Sequence, residues 1–374
     1  MVSFGGNVTT LIGGMEVFME NKKLSSALDK WQQLQPLSEI DKGRLSRRFT
    51  VDFNYNSNHI EGNTLTYGQT ELLLLFDKVI GTADFREYEE MKASNLGLKM
   101  MQTEAAEAHQ PLTQNFIRAL HKTLIRGDYD VTRTLPDGMQ VGYTVHAGQY
   151  KTRPNSVITR YGERFDYAFP EETPAFMADL VDWYNKAEQE GLFSPVDLAV
   201  LFHYRFIRIH PFEDGNGRIA RLLVNYILSR HGLPMIVVRS RLKKEYLDAL
   251  HSADLIVGPI PSDGVKASLK NIRPFHKYMV ELITHEVEND ILFVTEKDEN
   301  VWWYDGERIS FRTPTTGKIL RELQIEPQAT LSYLQNEIGI NRSALQKMLQ
   351  SLQKNGYIEK DDSGLWRVFI TPSA

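Results

Sequence analysis

Four side chains close together in the sequence could do chemistry as a group: His210, Asp214, Arg218 and Arg221, in the run Ile209-His210-Pro211-Phe212-Glu213-Asp214-Gly215-Asn216-Gly217-Arg218-Ile219-Ala220-Arg221. His210 offers a base whose ordinary pKa lies near neutrality. Asp214 is a hard oxygen donor, the kind of ligand Mg2+ takes alongside substrate phosphates. Arg218 and Arg221 fall on one helical face and can grip phosphate oxygens. Gly215 and Gly217 let backbone amides turn inward with no Cβ in the way. Leu198, Leu201, Phe202, Arg205 and Phe206 recur at helical spacing before the run, and Ile219, Leu222, Leu223, Tyr226 and Ile227 do so after it. Pro211 stops the first helix near His210. The second helix then opens with free N–H groups and the positive end of its dipole beside that histidine, an anion site suited to phosphate. One base, one metal ligand and a phosphate cradle point to phosphoryl or nucleotidyl transfer.

The pattern His210-Pro-Phe-x-Asp214-Gly-Asn216-Gly-Arg218-x-x-Arg221 resembles the signature of Fic-domain enzymes at every defining position. The resemblance implies a protein adenylyltransferase that moves AMP from Mg-ATP to a Ser, Thr or Tyr hydroxyl. In that reading His210 is the base. Gly215, Asn216 and Gly217 stabilise the α-phosphate, the Asn216 side chain included, while Asp214 holds Mg2+ and Arg218 and Arg221 hold the β and γ phosphates. A phosphotransferase branch of the same fold carries a lysine where this chain has Gly217, which argues against that chemistry here.

A second motif gains meaning from the first. Ser57-Asn58-His59-Ile60-Glu61-Gly62-Asn63 reads on its own as a helix end, with Gly62 or Asn63 in the left-handed position. Beside the Fic signature it resembles the family's inhibitory motif, anchored on Ser57 and Glu61. Glu61 would then pair with Arg221 and take the guanidinium that should hold the γ-phosphate. In some relatives the same glutamate is thought to position water for AMP removal, so a bifunctional enzyme is a further implication.

The remaining elements must position these groups. Leu24, Leu28 and Trp31 share a helical face, as do Leu72, Leu75, Phe76 and Val79, and Glu87–Ala108 reads as a long helix. Thr113 caps a helix bearing Phe116, Ile117, Leu120 and Leu124. Gly127–Gly142 is polar and reads as a loop. Val141–Tyr161, with Tyr150, Val157 and Ile158 around Pro154-Asn155, reads as a hairpin. Its place before the signature resembles the Fic flap, which adds a target segment as an extra strand. Thr173-Pro174 opens the next helix with a cap and a proline. Arg241–Asp254 reads as a helix in which Tyr246 and Asp254 hold the family's adenine-pocket positions. A packed tyrosine and a solvated aspartate fit those two residues equally well. His203 lies one helical repeat before His210, but no further His or Cys completes a zinc set. His121, His231 and His276 are assigned no role.

Asn289–Arg312 reads either as a short strand pair about Asp305-Gly306 or as a linker. Residues 313–374 carry short helices, an Asn341-capped helix with Leu345, Met348, Leu349 and Leu352, and two strands, Tyr357–Glu359 and Trp366–Ile370. That order resembles a winged helix, able to set Arg342, Ser343, Gln346 and Lys347 into DNA, to dock a protein, or to form a homodimer. The expected fold is therefore mainly α, in four parts. A helical N-terminal domain spans 1–110 with the inhibitory motif at 57–62, and a Fic helical core with a β-hairpin flap spans 111–285. A linker or short strand pair follows at 286–312, and a small α+β winged helix at 313–374.

Composition sets the outer bounds. The chain has 374 residues, net charge −5 and no cysteine. There is no disulfide, no thiolate metal site, and no global attraction to nucleic acid or acidic membrane. Met1–Gly14 lacks a signal-peptide pattern and no segment has the apolar length to span a bilayer. The expectation is a cytoplasmic protein whose partners are ATP and a target protein. The competing reading is a nucleotide-sensing, DNA-binding regulator.

Overall fold

The computed structural model describes residues 21–81, 83–107, 109–134, 139–158, 164–258, 263–360, 362 and 364–368. Met1–Gly14 and the distal part of the last expected strand lie outside them. The fold is mainly α. Helices α1 (Lys22–Gln33), α2 (Glu39–Ile60), α3 (Tyr67–Phe76) and α4 (Phe85–Ala106) come first. Ser38 caps α2 and Thr66 closes a capping box on α3 with Gln69. Helix α5 (Gln114–Ile125) starts at Thr113, whose side chain accepts from the Phe116 amide.

Four short strands follow, and here the sequence reading needs correction. Strands β1 (Tyr129–Thr134) and β2 (Gln140–Val145) form one antiparallel hairpin, β1 wholly inside the stretch read as loop and β2 running from it into the expected flap. Strand β3 (Ser156–Ile158) pairs with β4 (Arg164–Asp166), so Pro154-Asn155 precedes its hairpin instead of turning it. Residues 159–161 of the expected flap, and the side chains of Val157 and Ile158, lie outside what is described.

The central pair is α7 (Pro195–Ile209) and α8 (Asn216–Arg230), preceded by α6 (Thr173–Glu190). Thr173 does not cap α6. Its hydroxyl instead donates back to the Phe169 carbonyl. Both central helices are buried on nearly all sides, Leu201, Phe202 and Phe206 of α7 meeting Ile219, Leu223 and Ile227 of α8 in the main core. That all-round apolar pattern marks a helix pair at the centre of a domain. Around them stand α9 (Lys243–Val257), which a single 3-10 turn precedes, and α10 (Arg273–Thr295). Helix α10 continues through residue 285, so the expected end of the core falls inside a helix.

Strands β5 (Val301–Tyr304) and β6 (Glu307–Ser310) then form a hairpin. Asp305 and Gly306 make its two-residue turn, both at positive φ, which settles the strand-pair alternative for this stretch. Helices α11 (Pro314–Ile325), α12 (Leu331–Ile338) and α13 (Arg342–Lys354), with strands β7 (Ile358–Lys360) and β8 (Trp366–Val368), complete a winged helix. A second core joins this module to Val51 of α2 and Tyr67 of α3. Among the described residues no helix is long and apolar enough to cross a membrane.

Candidate active site

The loop between α7 and α8 is shaped residue by residue. Helix α7 ends at Ile209 because His210 takes the left-handed conformation, φ 50° and ψ 60°, ahead of a proline. Few non-glycine residues adopt that conformation, and this one must be held there by its surroundings. Phe212 is fully buried and stacks on His121, with ring centroids 3.8 Å apart. Burial of such a ring contributes about 1.5–3 kcal/mol and pins the loop. The Asn216 side chain accepts from the Phe212 amide at 2.9 Å and donates to its carbonyl at 2.8 Å. Both ends of that amide therefore bond the loop itself. The expected phosphate contact of Asn216 is left to its backbone N–H and to the second Nδ2 hydrogen. Gly215, at φ 76°, is the residue before α8 and brings no capping side chain to the helix's first amides.

A ring of residues that the sequence did not flag clamps this loop. Lys151, buried, donates from Nζ to the Ile209 carbonyl at 3.0 Å and to Asn155 Oδ1 at 2.7 Å, and its amide donates to the Pro211 carbonyl at 2.8 Å. Asn155 donates to the carbonyls of His210 and Phe212. The Gly148 amide donates to His121 Nδ1 at 2.8 Å, which leaves Nε2–H of His121 to donate to the Asp214 carbonyl at 3.1 Å. Tyr150, expected on the target-docking flap, packs inward on Phe212 and donates to Gln114. Tyr167 lies flat on His210, centroids 4.0 Å apart and planes 12° from parallel. Lys151 and Asn155 stand in the quoted flap stretch, but nothing in their types or spacing marks them as loop clamps, and His121 reads as any helical histidine.

Electrostatics follow from this packing. Burial drives the His210 imidazole down to about 3, with the Lys151 ammonium adding to the fall. The ring is therefore neutral at pH 7, the form a base needs. Burial likewise drives Lys151 down to about 7 and His121 to about 4. Burial opposes ionisation of Asp214, but Arg218, the Tyr129 hydroxyl and the Gly215 amide outweigh it and hold the carboxyl below its usual range. Tyr129 donates to Asp214 Oδ2 at 2.6 Å and Arg218 does so at 3.3 Å, while the aspartate side chain stays 47% exposed. An ionised, accessible carboxylate is the right kind of donor for a hard divalent cation.

Ser57, Glu61 and Arg221 come together across the chain. Arg221, 3% exposed, donates from Nη2 to Glu61 Oε1 at 2.6 Å and to the Ser57 carbonyl at 2.9 Å, and from Nε to Ser57 Oγ at 3.0 Å. A Cβ on Gly217 would stand 2.5 Å from Glu61 Oε1. The carboxylate thus lies over the first turn of α8, where the helix dipole attracts an anion. Lys243 holds the end of α2 by donating to the Ile60 carbonyl at 2.6 Å. Glu61 follows the last turn of α2 directly, and Gly62 after it takes φ 101°.

Tyr246 and Asp254 stand on α9, and the Tyr246 hydroxyl lies beside the Arg221 guanidinium. Tyr246 is buried with its hydroxyl 2.9 Å from His203 Nε2. Asp254 is half-buried and paired. It accepts from Arg208 at 3.0 Å and from the Tyr204 hydroxyl at 2.8 Å, and Arg208 is fully buried.

Comparison with known proteins agrees with this geometry. The Fic/DOC family model matches residues 111–228, and a winged helix-turn-helix DNA-binding model matches residues 312–359. A Fic domain containing signaling protein from Bacteroides thetaiotaomicron is 49% identical, with a TM-score of 0.68, covering 74% of this chain and 99% of that one. This chain belongs to the Fic family. Fic-1 from Caenorhabditis elegans, in a structure of part of that protein, is 26% identical with a TM-score of 0.56, covering 72% of this chain and 71% of that one. Among named sequences, protein adenylyltransferase fic-1 of C. elegans is 26% identical over 302 residues, 80% of this chain and 52% of its own length. Protein adenylyltransferase Fic of Nematostella vectensis is 28% identical over 219 residues, 59% of this chain and 47% of its own. The chain spans about half the length of these named relatives.

Proposed function

We propose that this Fic protein is a protein adenylyltransferase held in check by its own Glu61. It would transfer AMP from Mg-ATP to a Ser, Thr or Tyr hydroxyl of a target protein or of itself. The observation that carries this reading is an anion site at the start of α8 occupied by the chain's own carboxylate, with a neutral imidazole on the adjoining loop. The relatives named protein adenylyltransferase support the choice of reaction.

His210 takes the proton of the target hydroxyl as that oxygen attacks the α-phosphorus. The new O–P bond forms as the bond from the α-phosphorus to the bridging oxygen breaks, and pyrophosphate leaves. The free amides of the first turn of α8 stabilise charge on the α-phosphate oxygens. Arg218 and Arg221 hold the β and γ phosphates once Glu61 lets go. Asp214 would hold Mg2+, which supplies charge neutralisation along the triphosphate. The target enters as a strand beside β3. Each described sheet has only two strands, so β3 has a second main-chain edge to offer. Lys151 and Asn155, one turn of chain before β3, tie that edge to the carbonyls around His210.

The catalytic part of the chain would run to the end of α10 at Thr295, with the winged-helix module rooted in the β5–β6 hairpin. A second activity, DNA contact by that module, is favoured by its family match and by the exposed Arg342, Ser343, Gln346 and Lys347 of α13. A gel shift across a salt series tests it, since phosphate contacts weaken as salt rises. The test of the main reading is His210→Ala. It should abolish transfer of label from α-labelled ATP and leave ATP binding intact. Undiminished labelling by that variant would remove His210 as the base.

A further inference from the structure

Two neighbouring polar stripes of helix α2 have different partners, and one of them faces Arg221. Ser57 and Glu61, four residues apart, meet the guanidinium. Asp52 and Asn56, also four apart, form a neighbouring stripe about 100° around the same helix. That second stripe is gripped by the root of the C-terminal module, directly at Asn56 and through Arg239 of the segment before α9 at Asp52.

The grip is specific and buried. Asn56 Nδ2 donates to Asp305 Oδ1 at 2.6 Å, and Asn56 Oδ1 accepts from the Ser240 amide at 2.7 Å. Asp305 sits at the β5–β6 turn. Arg239, 2% exposed, bridges Asp52 at 2.9 Å, Glu286 of α10 at 2.7 Å and Asp305 at 3.3 Å. A side chain at Gly306 would collide with this guanidinium, so the turn lies directly on it. Arg241 closes the outside by donating to the Asp305 carbonyl at 2.8 Å and to Glu307 at 2.5 Å. A buried guanidinium shared among three carboxylates makes loss of any partner costly, so the arrangement is all-or-none in character.

The grip also reaches the wing. Tyr304, next to Asp305, packs on Tyr67 with centroids 4.4 Å apart and donates to the Val368 carbonyl of β8 at 2.9 Å. Tyr67 in turn donates to Asp52 at 2.6 Å. Contacts therefore run from the wing through the hairpin to one stripe of α2, and from the other stripe of the same helix to Arg221.

We propose that the C-terminal module sets the brake: its root hairpin, clamped on Asp52 and Asn56, holds α2 where Glu61 reaches Arg221, and displacement of the module frees Arg221 for nucleotide. This rests on the reading of Glu61 as a brake. It adds the input through which that brake is operated, a ligand or partner that moves the winged helix.

Two single substitutions in the full chain test it. Asn56→Ala removes the hydrogen bond from α2 to Asp305 of the hairpin and the one from the Ser240 amide before α9, and Arg241→Ala loosens the half-exposed outer edge of the grip without touching α2. Each is made with Glu61 present and again in the Glu61→Gly background. Two quantities are measured: incorporation of label from α-labelled ATP, and the ratio of ATP to ADP affinity by calorimetry, which reports a guanidinium on the γ-phosphate.

With Glu61 present, each substitution should raise both quantities roughly three- to tenfold, the worth of one or two hydrogen bonds. In the Glu61→Gly background neither should change either quantity more than about twofold, because the coupled residue is gone. Folded variants with unchanged values, or an equal rise in both backgrounds, would overturn the proposal. Should Asn56→Ala fail to fold, Arg241→Ala decides alone. If no variant labels protein, Glu61→Gly included, it is the adenylyl-transfer reading that fails, and the ATP-to-ADP ratio still decides the coupling.

Discussion

Replacing Glu61 by glycine removes one partner from a buried guanidinium and nothing else from the loop. In the intact chain Arg221 is engaged by a carboxylate at 2.6 Å and by two oxygens of Ser57. A hydrogen bond to a charged group is worth about 1.5–3 kcal/mol. Glu61 is 38% exposed on its side chain, so solvent screening places this one at the lower end, near ~1.5 kcal/mol. That corresponds to roughly a tenfold shift in how readily a γ-phosphate displaces the carboxylate. Isothermal calorimetry with Mg-ATP and Mg-ADP reads the shift as a change in their affinity ratio, because ADP has no γ-phosphate for Arg221 to hold. The variant should prefer ATP over ADP about tenfold more than the unsubstituted chain does, and label incorporation should rise with it. Ser57→Ala loses only the neutral hydroxyl bond and should move the ratio by about threefold at most. Glu61→Gln, which keeps the shape and loses the charge, should fall between the two. An affinity ratio and a labelling rate that are the same with and without Glu61 would refute the brake.

Two further predictions concern the loop clamp and the buried imidazoles. Lys151→Met leaves the Ile209 carbonyl without its donor and frees the flap from the His210 loop, so labelling should fall by roughly ten- to a hundredfold while ATP affinity holds; an equal loss of ATP binding would show that Lys151 serves the fold alone. Burial holds His121, His203 and His210 at about 4, 3 and 3, below an unfolded value near 6.5. The unfolded chain therefore binds more protons than the native one in acid. Stability is complete above about pH 6.5 and falls as pH drops toward the folded values, by about 1.4 kcal/mol per pH unit for each histidine. Urea titrations between pH 6 and 4 should show His203→Gln with a shallower decline by about that slope, and an unchanged decline would contradict its burial as a neutral ring.

How much of this was legible depends on where the information lies along the chain. The His210–Arg221 run could be read because base, metal ligand and phosphate cradle are contiguous, and the flanking helices announce themselves by apolar period. The Ser57–Glu61 motif could be tied to Arg221 only through the family resemblance, since nothing local in residues 57–63 points to a guanidinium 160 positions away. Strand β1 was hidden because its apolar alternation is confined to Tyr129 and Val131, both only half-buried. The bonds from the Asn216 side chain to Phe212 were not legible, because an asparagine beside a phosphate cradle and one folded back on the loop look the same in sequence. His121, Lys151 and Asn155 act through backbone carbonyls, which carry no residue signature. Arg239 was hidden for a different reason, its three carboxylate partners coming from α2, α10 and the β5–β6 turn, far apart in the sequence.

The central claim is the identity of the group transferred. Incubation of the purified Glu61→Gly variant, with no other protein present, with α-labelled and separately with γ-labelled Mg-ATP decides it. Adenylyl transfer predicts protein-bound label from the α-labelled nucleotide and none from the γ-labelled one, with labelled pyrophosphate released in the second case. Protein-bound γ label, or label from neither nucleotide, would contradict the account.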